Sequence, residues 1–158
     1  MKNKKKFILA YLVIFFFYNI SYSNEEINYS SNTIKVLENG KIISGEGDVE
    51  ILIGENILIN SKKFEYNKET GLYKIFNNVQ FNDKINNIKA LGSEFILSTF
   101  DNKIISKTRS KIIYNETYDI DLSNFEYDIS NQKISSNDFV KIKDNINNYF
   151  ELYEFLLD

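Results

Sequence analysis

Apolar and polar residues alternate along much of this chain, and the alternation sets the expected secondary structure. Val49, Ile51 and Ile53 share one side of a predicted strand, and Glu50 points to the other side. A period of two residues is typical of a strand that buries one face. No long segment shows the 3.6-residue period that predicts a helix. The pattern therefore predicts an all-β protein.

Clusters of Asn, Asp and Gly interrupt the alternation at regular intervals. These residues favour turns because their backbones adopt turn conformations at low cost. The clusters lie at 39–40, 54–56, 67–71, 77–78, 82–83, 101–102, 115–116 and 130–131. They divide the chain into about ten or eleven short antiparallel strands. Because no such strand can bury its apolar face alone, we expect two packed sheets, in a sandwich or jellyroll.

The chain also repeats itself with a period of 30 or 31 residues. Similar segments begin at 41, 72, 103 and 133, in steps of 31, 31 and 30. Two apolar columns keep this register. They are Ile51, Phe81, Ile112 and Ile142, and Phe64, Phe95, Phe125 and Phe155. Each unit is expected to supply two or three strands, so the repeat predicts an antiparallel jellyroll built from similar units.

The composition excludes most catalytic chemistry. The chain has no His, Cys, Trp or Pro, so it lacks the usual base for a Ser or Thr nucleophile and the usual zinc ligands. Its formal net charge of −3 makes it a poor partner for nucleic acid. A glycan hydrolase needs two carboxyl groups within about 10 Å in a cleft, and no pair of acids stands out. We predict no catalytic residue, no cofactor and no metal site.

The N-terminus has the three parts of a secretory signal peptide. A basic start, MKNKKK, precedes an apolar run at 7–20, and Ser21 and Ser23 occupy the small-residue positions of a cleavage site. The alternative is an uncleaved membrane anchor, but a spanning helix needs about 20 apolar residues. We therefore predict a signal peptide at 1–23 and export to the periplasm.

The remaining chain divides into two predicted regions. Residues 24–31 are mostly polar and are expected to form a flexible leader, and residues 32–158 form the β domain. The domain has no Cys to form disulfides, so it needs a core of its own. The last unit stops at Asp158 within a repeat, and we interpret the chain as either a fragment or a short stand-alone protein.

Three phrases carry a resemblance to a known family. They are GDVEILIGENILINSKKFEYNKETG, NNVQFND and NNYFELYEF. In the first, a Gly-Asp-Val strand is followed by an aromatic-x-Tyr-Asn strand and a Lys-x-Thr-Gly turn. The chain resembles the OstA-like family of lipopolysaccharide-transport proteins, and within it the periplasmic N-terminal domain of LPS-assembly proteins of the LptD kind. The resemblance covers about residues 32–158.

This resemblance implies a fold and a non-enzymatic function. The fold would be a β-jellyroll whose two sheets are partly open, with the acyl chains of lipid A in the apolar groove between them. Such domains would join head to tail, edge strand to edge strand, and make a bridge across the periplasm for lipopolysaccharide assembly at the outer membrane. The implied partners are lipopolysaccharide, other jellyroll proteins of the same bridge and an outer-membrane β-barrel.

The candidate groove residues are the inward apolar positions of the predicted strands. A closed, dry core is the alternative role for each of them. They are Ile51, Ile53, Ile57, Ile59, Phe64, Tyr66, Phe81, Phe95, Leu97, Ile112, Ile120, Phe125, Tyr127 and Ile142. The corresponding alternative function is a structural or adhesive β-solenoid or sandwich that binds no lipid.

Charged residues and the C-terminus add three further candidates. Basic residues at the rim are candidates for contacting lipid phosphates, with solvated strand faces as the alternative: Lys62, Lys63, Lys107, Arg109 and Lys111. Clustered acids have the same alternative and are candidates for a divalent cation: Asp119, Asp121 and Glu126. The terminal stretch ELYEFLLD is a predicted exposed edge strand that favours pairing with another chain.

Overall fold

Long strands that bend near their middle build this fold. The structure, a computed structural model, describes residues 26–157, so the predicted signal peptide at 1–23 lies outside the described residues. The described part contains twelve strands and a 3-10 turn at Glu38–Gly40. The strands are β1 Ile27–Ser30, β2 Thr33–Leu37, β3 Ile42–Ile53, β4 Ile57–Asn67, β5 Leu72–Asp83, β6 Ile88–Ser98, β7 Lys103–Ser106, β8 Ser110–Tyr114, β9 Tyr118–Leu122, β10 Phe125–Asp128, β11 Lys133–Lys143 and β12 Tyr149–Leu157.

The bends let one strand belong to two sheets. In β3, residues 42–46 pair with β2 and residues 50–53 pair with β1, and the register shifts in between. The bends of β3 and β5 contain residues with positive φ, Gly47 and Asp48 in β3 and Asn77 and Asn78 in β5. Positive φ suits Gly and Asn, and an extra residue in one strand kinks the ladder. The bends therefore follow from the Gly and Asn clusters of the sequence.

The bent strands form two antiparallel layers. Sheet I has the order β2, β3, β4, β5, β6, β7, β10, β11, β12, and sheet II has the order β1, β3, β4, β5, β6, β8, β9, β11, β12. We call the line of bends the seam; it runs through 47–48, 61–62, 77–78, 107–109, 123–124 and 137–138. We call the opposite side the mouth. There the hairpin turns 68–71, 99–102 and 129–132 of sheet I face the turns 54–56, 84–87, 115–117 and 144–148 of sheet II.

The sequence repeat corresponds to pairs of long strands. Units begin at the first residues of β5, β7 and β11 and one residue before β3, so each unit crosses both sheets twice. The Ile51 column lies on sheet II, where Ile51, Phe81, Ile112 and Ile142 belong to one continuous row of paired residues. The Phe64 column lies on sheet I. The predicted antiparallel jellyroll of repeated units is confirmed, and its antiparallel pairs exclude a parallel solenoid.

Two details differ from the prediction. Residues 27–30, which the polar composition assigns to a flexible leader, form β1 and pair with 50–53 of β3. The pairing places Ile27 and Tyr29 against the core, because these two apolar side chains alternate with polar ones. The strand count is twelve in the described chain rather than ten or eleven, since the leader adds a strand.

The inner faces of the sheets form the core, and the outer faces are charged. Ion pairs such as Lys63–Glu65, Lys103–Glu126 and Lys141–Glu151 lie on the outer faces, where solvent reaches both partners. Exposed pairs of this kind contribute little to stability. Within residues 26–157, no helix has both the length and the hydropathy needed to cross a membrane.

Candidate functional site

The apolar interior between the sheets collects all the predicted groove residues. Period-two alternation places them on inner faces, as expected. Most of them are buried, and Tyr66 and Ile142 are partly buried. Ile51, Phe64 and Phe95 have no exposed surface at all. Their location in the interior is established, and their contact with lipid stays a prediction.

The middle of the interior is closed by direct packing. Phe64 lies so close to Gly45 that a Cβ at Gly45 would come within 2.2 Å of the ring. Phe95 lies over Gly92 in the same way, with 2.6 Å between such a Cβ and the ring. These rings fill the space near the seam, where the sheets converge. A lipid in this region must displace side chains that now touch each other.

Aromatic side chains connect the two sheets. Tyr29 of sheet II has its ring centroid 5.1 Å from that of Phe64 and 6.3 Å from that of Tyr73, both on sheet I. Phe81 of sheet II meets Tyr127 of sheet I edge to face at 5.4 Å. Such pairs add to the stabilisation that comes from buried area.

Burial changes the chemistry of two of these tyrosines. Burial raises the pKa of Tyr73, and the neighbouring Tyr66 and Tyr29 reinforce the effect. Burial also raises the pKa of Tyr127, with a further contribution from its hydrogen bond to Asp83. Both hydroxyls therefore stay protonated at alkaline pH values where an exposed tyrosine ionises, and they serve as neutral groups of the interior.

The interior opens at the N-terminal end of the sheets. Ile34 pairs with Gly45 and Val36 pairs with Ile43, which places both side chains on the inner face of sheet I. They are nevertheless 49% and 63% exposed. The apolar interior thus reaches solvent at β2, the first strand of sheet I.

The interior opens again at the opposite, C-terminal end. In β12, Phe150 pairs with Ile142 and Leu152 pairs with Val140, so both face inward. They are 49% and 40% exposed, because β12 pairs with β11 on one side and no further described strand covers the other. The terminal stretch predicted as an exposed edge strand occupies this position. The apolar interior therefore runs across the molecule and is accessible at both ends.

The basic residues predicted for the rim lie at the seam and on the outer faces of the sheets. Lys62 sits at the seam, 2.8 Å from Asp48, and its hydrogen bond lowers the pKa of Asp48. Lys63 is on the outer face of sheet I, where a hydrogen bond to Glu65 raises the pKa of the lysine. Lys107 and Arg109 fall in the seam between β7 and β8, and Lys111 pairs with Asp119 on the outer face of sheet II at 2.8 Å. Their placement at the seam and on the outer faces favours the alternative interpretation, solvated positions, and their contact with lipid phosphates stays a prediction.

The predicted acidic cluster is also dispersed. Asp119 pairs with Lys111, and Glu126 pairs with Lys103 at 2.6 Å on the other sheet. Among residues 26–157, no three acidic side chains are grouped so that they could hold a metal ion. These acids belong to solvated outer faces, which was the alternative interpretation.

The sequence analysis missed several residues of the interior. Ile34, Val36, Phe150 and Leu152 at the two ends follow the same alternation and could have been found from it. Asp83 was assigned to a turn, yet it continues the inward positions of Val79 and Phe81 and is 3% exposed. Its place in the period-two pattern was the available signal.

Comparisons with known proteins give one informative result. A scan against protein-family models gives no match, and neither does a search of the curated proteins. The fold matches solved structures, including the crystal structure of LptH from Pseudomonas aeruginosa, described as the LptA-homologous periplasmic component of a conserved lipopolysaccharide transport device. The TM-score is 0.59 at 11% identity, and the match covers 81% of this chain and 94% of LptH. At this identity the likeness shows the fold, an LptA-like β-jellyroll.

Proposed function

We propose that this protein is a non-enzymatic carrier of lipopolysaccharide, in which the acyl chains of lipid A occupy the interior between the two sheets. The observation that carries the proposal is an apolar interior with inward side chains exposed at both ends, at Ile34 and Val36 and at Phe150 and Leu152. A transport track needs an entrance and an exit, and a sealed core needs neither.

The physical basis is the hydrophobic effect. An acyl chain gains about 25 cal/mol for each Å² of apolar surface that leaves water. The inner faces offer Ile, Val, Leu, Phe and Tyr side chains along their whole length, including all the predicted groove residues. Because these side chains now touch one another, uptake requires the sheets to move apart at the mouth.

The unpaired edges support docking to other jellyroll domains. Among the strands that the structure describes, β1 and β2 pair on one side only at the N-terminal end, and β12 pairs on one side only at the C-terminal end. A strand edge with free N–H and C=O groups pairs readily with another strand. Docking of one end to another would join two interiors into one longer track.

The likeness to LptH favours one role within this class. LptH is described as an LptA-homologous periplasmic component, so we favour a periplasmic bridge component over an LptD-like assembly domain. Secretion by the predicted signal peptide agrees with this location. Lipopolysaccharide and other jellyroll proteins of the bridge are the proposed partners.

A second candidate is a structural jellyroll that binds no lipid. The complete burial of Ile51, Phe64 and Phe95 favours it, because the centre of the interior is already filled. This candidate leaves the exposed inward side chains at the two ends without a role, so we rank it second.

Site-specific photo-crosslinking separates the two candidates. Benzoylphenylalanine would replace Phe125 in the interior or Phe150 at the open end, and the matched control would replace Tyr149, the outward neighbour of Phe150. We expect lipopolysaccharide adducts from the two inward positions and little or none from position 149. An absence of adducts at every inward position would favour the closed structural core.

A further inference from the structure

A buried carboxylate faces the interior at the mouth. Asp83 is the last residue of β5, and it continues the inward row of Val79 and Phe81. Among residues 26–157 it is the one charged side chain that is buried. The equivalent position in the first repeat is Ile53, which shows that an apolar side chain also fits there. A buried charge is costly unless it is well bonded, so its presence needs a reason.

The bonds of Asp83 reach across to the other sheet. The Tyr127 hydroxyl, on sheet I, donates to Asp83 Oδ2 at 2.6 Å. Asn86 Nδ2 donates to the same oxygen at 2.9 Å and to the Tyr127 hydroxyl at 3.2 Å. The other oxygen, Oδ1, accepts the backbone N–H groups of Ile85 and Asn86. Asp83, Asn86 and Tyr127 thus tie sheet II to sheet I at the end of β5 and one residue before the end of β10.

The local turn does not require this cross-sheet bond. Asp128 makes the same turn contacts, since its oxygens accept the backbone N–H and the side-chain amide of Asn131, but it bonds no residue of the opposite sheet. The Phe-Glu-Tyr triplet that contains Tyr127 also occurs at 64–66, and no described hydrogen bond of Tyr66 crosses between the sheets. Turn formation therefore explains why residue 83 is an Asp, and the repeat explains why residue 127 is a Tyr. Neither explains why the two side chains bond to each other.

We propose that Asp83, Asn86 and Tyr127 form a polar latch that holds the mouth closed, and that acyl chains enter the interior when the latch opens. The inference rests on the proposed function. A hydrogen bond to a carboxylate is strong in a dry site and weak once water reaches it. The latch therefore closes the empty jellyroll and releases when the sheets begin to separate. The Tyr127 hydroxyl donates this hydrogen bond throughout the neutral range, because a tyrosine is protonated below an ordinary pKa of about 10.

The movement of the mouth can be measured directly, because the chain has no native cysteine. Spin labels would be attached at Glu116→Cys and Ser130→Cys, on exposed turns on opposite sides of the mouth. Pulsed electron paramagnetic resonance then gives the distance distribution between the labels. We expect a narrow distribution in the parent and a broader, longer one in Tyr127→Phe. Tyr149→Phe, which removes an exposed hydroxyl on the outward side of β12, is the matched control and should leave the distribution unchanged.

Uptake of an acyl probe tests the consequence. The rate of cis-parinaric acid binding would be measured by fluorescence in the same proteins, with lipopolysaccharide as competitor. We expect the rate in Tyr127→Phe to rise about tenfold, the factor that loss of one charge-assisted hydrogen bond implies. Asp83→Asn, which keeps the turn acceptor, serves as a second variant if Tyr127→Phe folds poorly. A bismaleimide cross-link between the two cysteines should slow uptake in every variant.

The outcomes separate the latch from the proposed function. If the parent binds the probe but Tyr127→Phe and Asp83→Asn match Tyr149→Phe in both distance and rate, the latch is overturned and the carrier stands. If no protein binds the probe while Tyr127→Phe still widens the mouth, the polar tie is supported and the carrier is overturned. Faster uptake together with a wider mouth supports both.

Discussion

At the residue scale, the fold depends on small residues that lie beneath large rings. Gly45 faces Phe64, and Gly92 faces Phe95, each with less room than a methyl group needs. Both phenylalanines have no exposed surface. The smallest side chain is thus required where the two sheets converge, and these glycines serve the packing rather than a turn.

Replacing Gly45 with Ala should destabilise the protein. The new Cβ would lie 2.2 Å from the Phe64 ring, so the ring or a strand must shift. We expect the free energy of unfolding to fall by about 1–3 kcal/mol, the usual cost of overpacking. Chemical denaturation measures it. Phe64→Leu gives the new methyl group room. The free energy of unfolding of the double variant, Gly45→Ala with Phe64→Leu, should therefore fall by less than the sum of the two single losses. Additive losses would contradict the contact.

Buried tyrosines make stability depend on alkaline pH. The pKa values of Tyr73 and Tyr127 are raised above the ordinary value of 10.0 by burial. Above that pH the unfolded chain loses these protons while the folded protein keeps them, so the unfolded state is favoured. The contribution of these two tyrosines to the free energy of unfolding should be fully present below pH 10, and it should be lost as the pH rises further.

Replacing Tyr73 with Phe should make this loss less steep. The substitution keeps the ring but removes one titrating group, which accounts for at most about 1.4 kcal/mol per pH unit. Denaturation at a series of pH values between neutral and strongly alkaline measures the slope. Tyr149→Phe, on the exposed outer face, is the control. An equal slope in Tyr73→Phe and the parent would show that the Tyr73 hydroxyl is not protected by folding.

At the element scale, the central strands and the end strands have different roles. β4, β5 and β6 pair on both sides along most of their length and carry fully buried side chains. β2 and β12 pair on one side and expose apolar side chains, both inward and outward. The centre therefore supplies the stability, and the ends supply the surfaces on which docking depends.

Charges at the C-terminal end should prevent docking without unfolding the protein. Phe150 and Leu152 are about half exposed, so changing both to Lys removes modest burial but places two charges where an adjoining domain would cover them. We expect end-to-end association of the purified protein to weaken at least tenfold in sedimentation experiments. Tyr149→Lys combined with Tyr153→Lys, on the outward side of the same strand, is the matched control. A parent that stays monomeric at every concentration would contradict docking between copies.

At the scale of the whole molecule, the jellyroll is closed in its centre and open at its ends. The closed centre comes from facing rows of Ile and Phe, and at the ends no other strand within residues 26–157 covers the inward side chains of β2 and β12. Alternation also places most charged residues of the strands on the outer faces, and Asp83 is the buried exception among residues 26–157. The two candidate functions differ in one property, which is whether lipid enters the interior.

Much of this arrangement follows from the order of residues along the chain. Alternation is a local property, because successive side chains of a strand point to opposite faces. It correctly assigned every predicted groove residue to an inner face, and the repeat correctly indicated equivalent units. The bends also have local causes in residues such as Gly47 and Asn77, whose backbones accept positive φ.

Other features depended on residues that are distant in sequence. The strand at 27–30 exists because β3 offers it a partner, and its polar composition alone predicted a flexible leader. Asp83 and Tyr127 are 44 positions apart, and their hydrogen bond arises from the register of strands in two different sheets. Alternation determines the face on which a side chain lies. Register and the approach of the two sheets determine which side chain it meets, and these are set by the packing of the whole core.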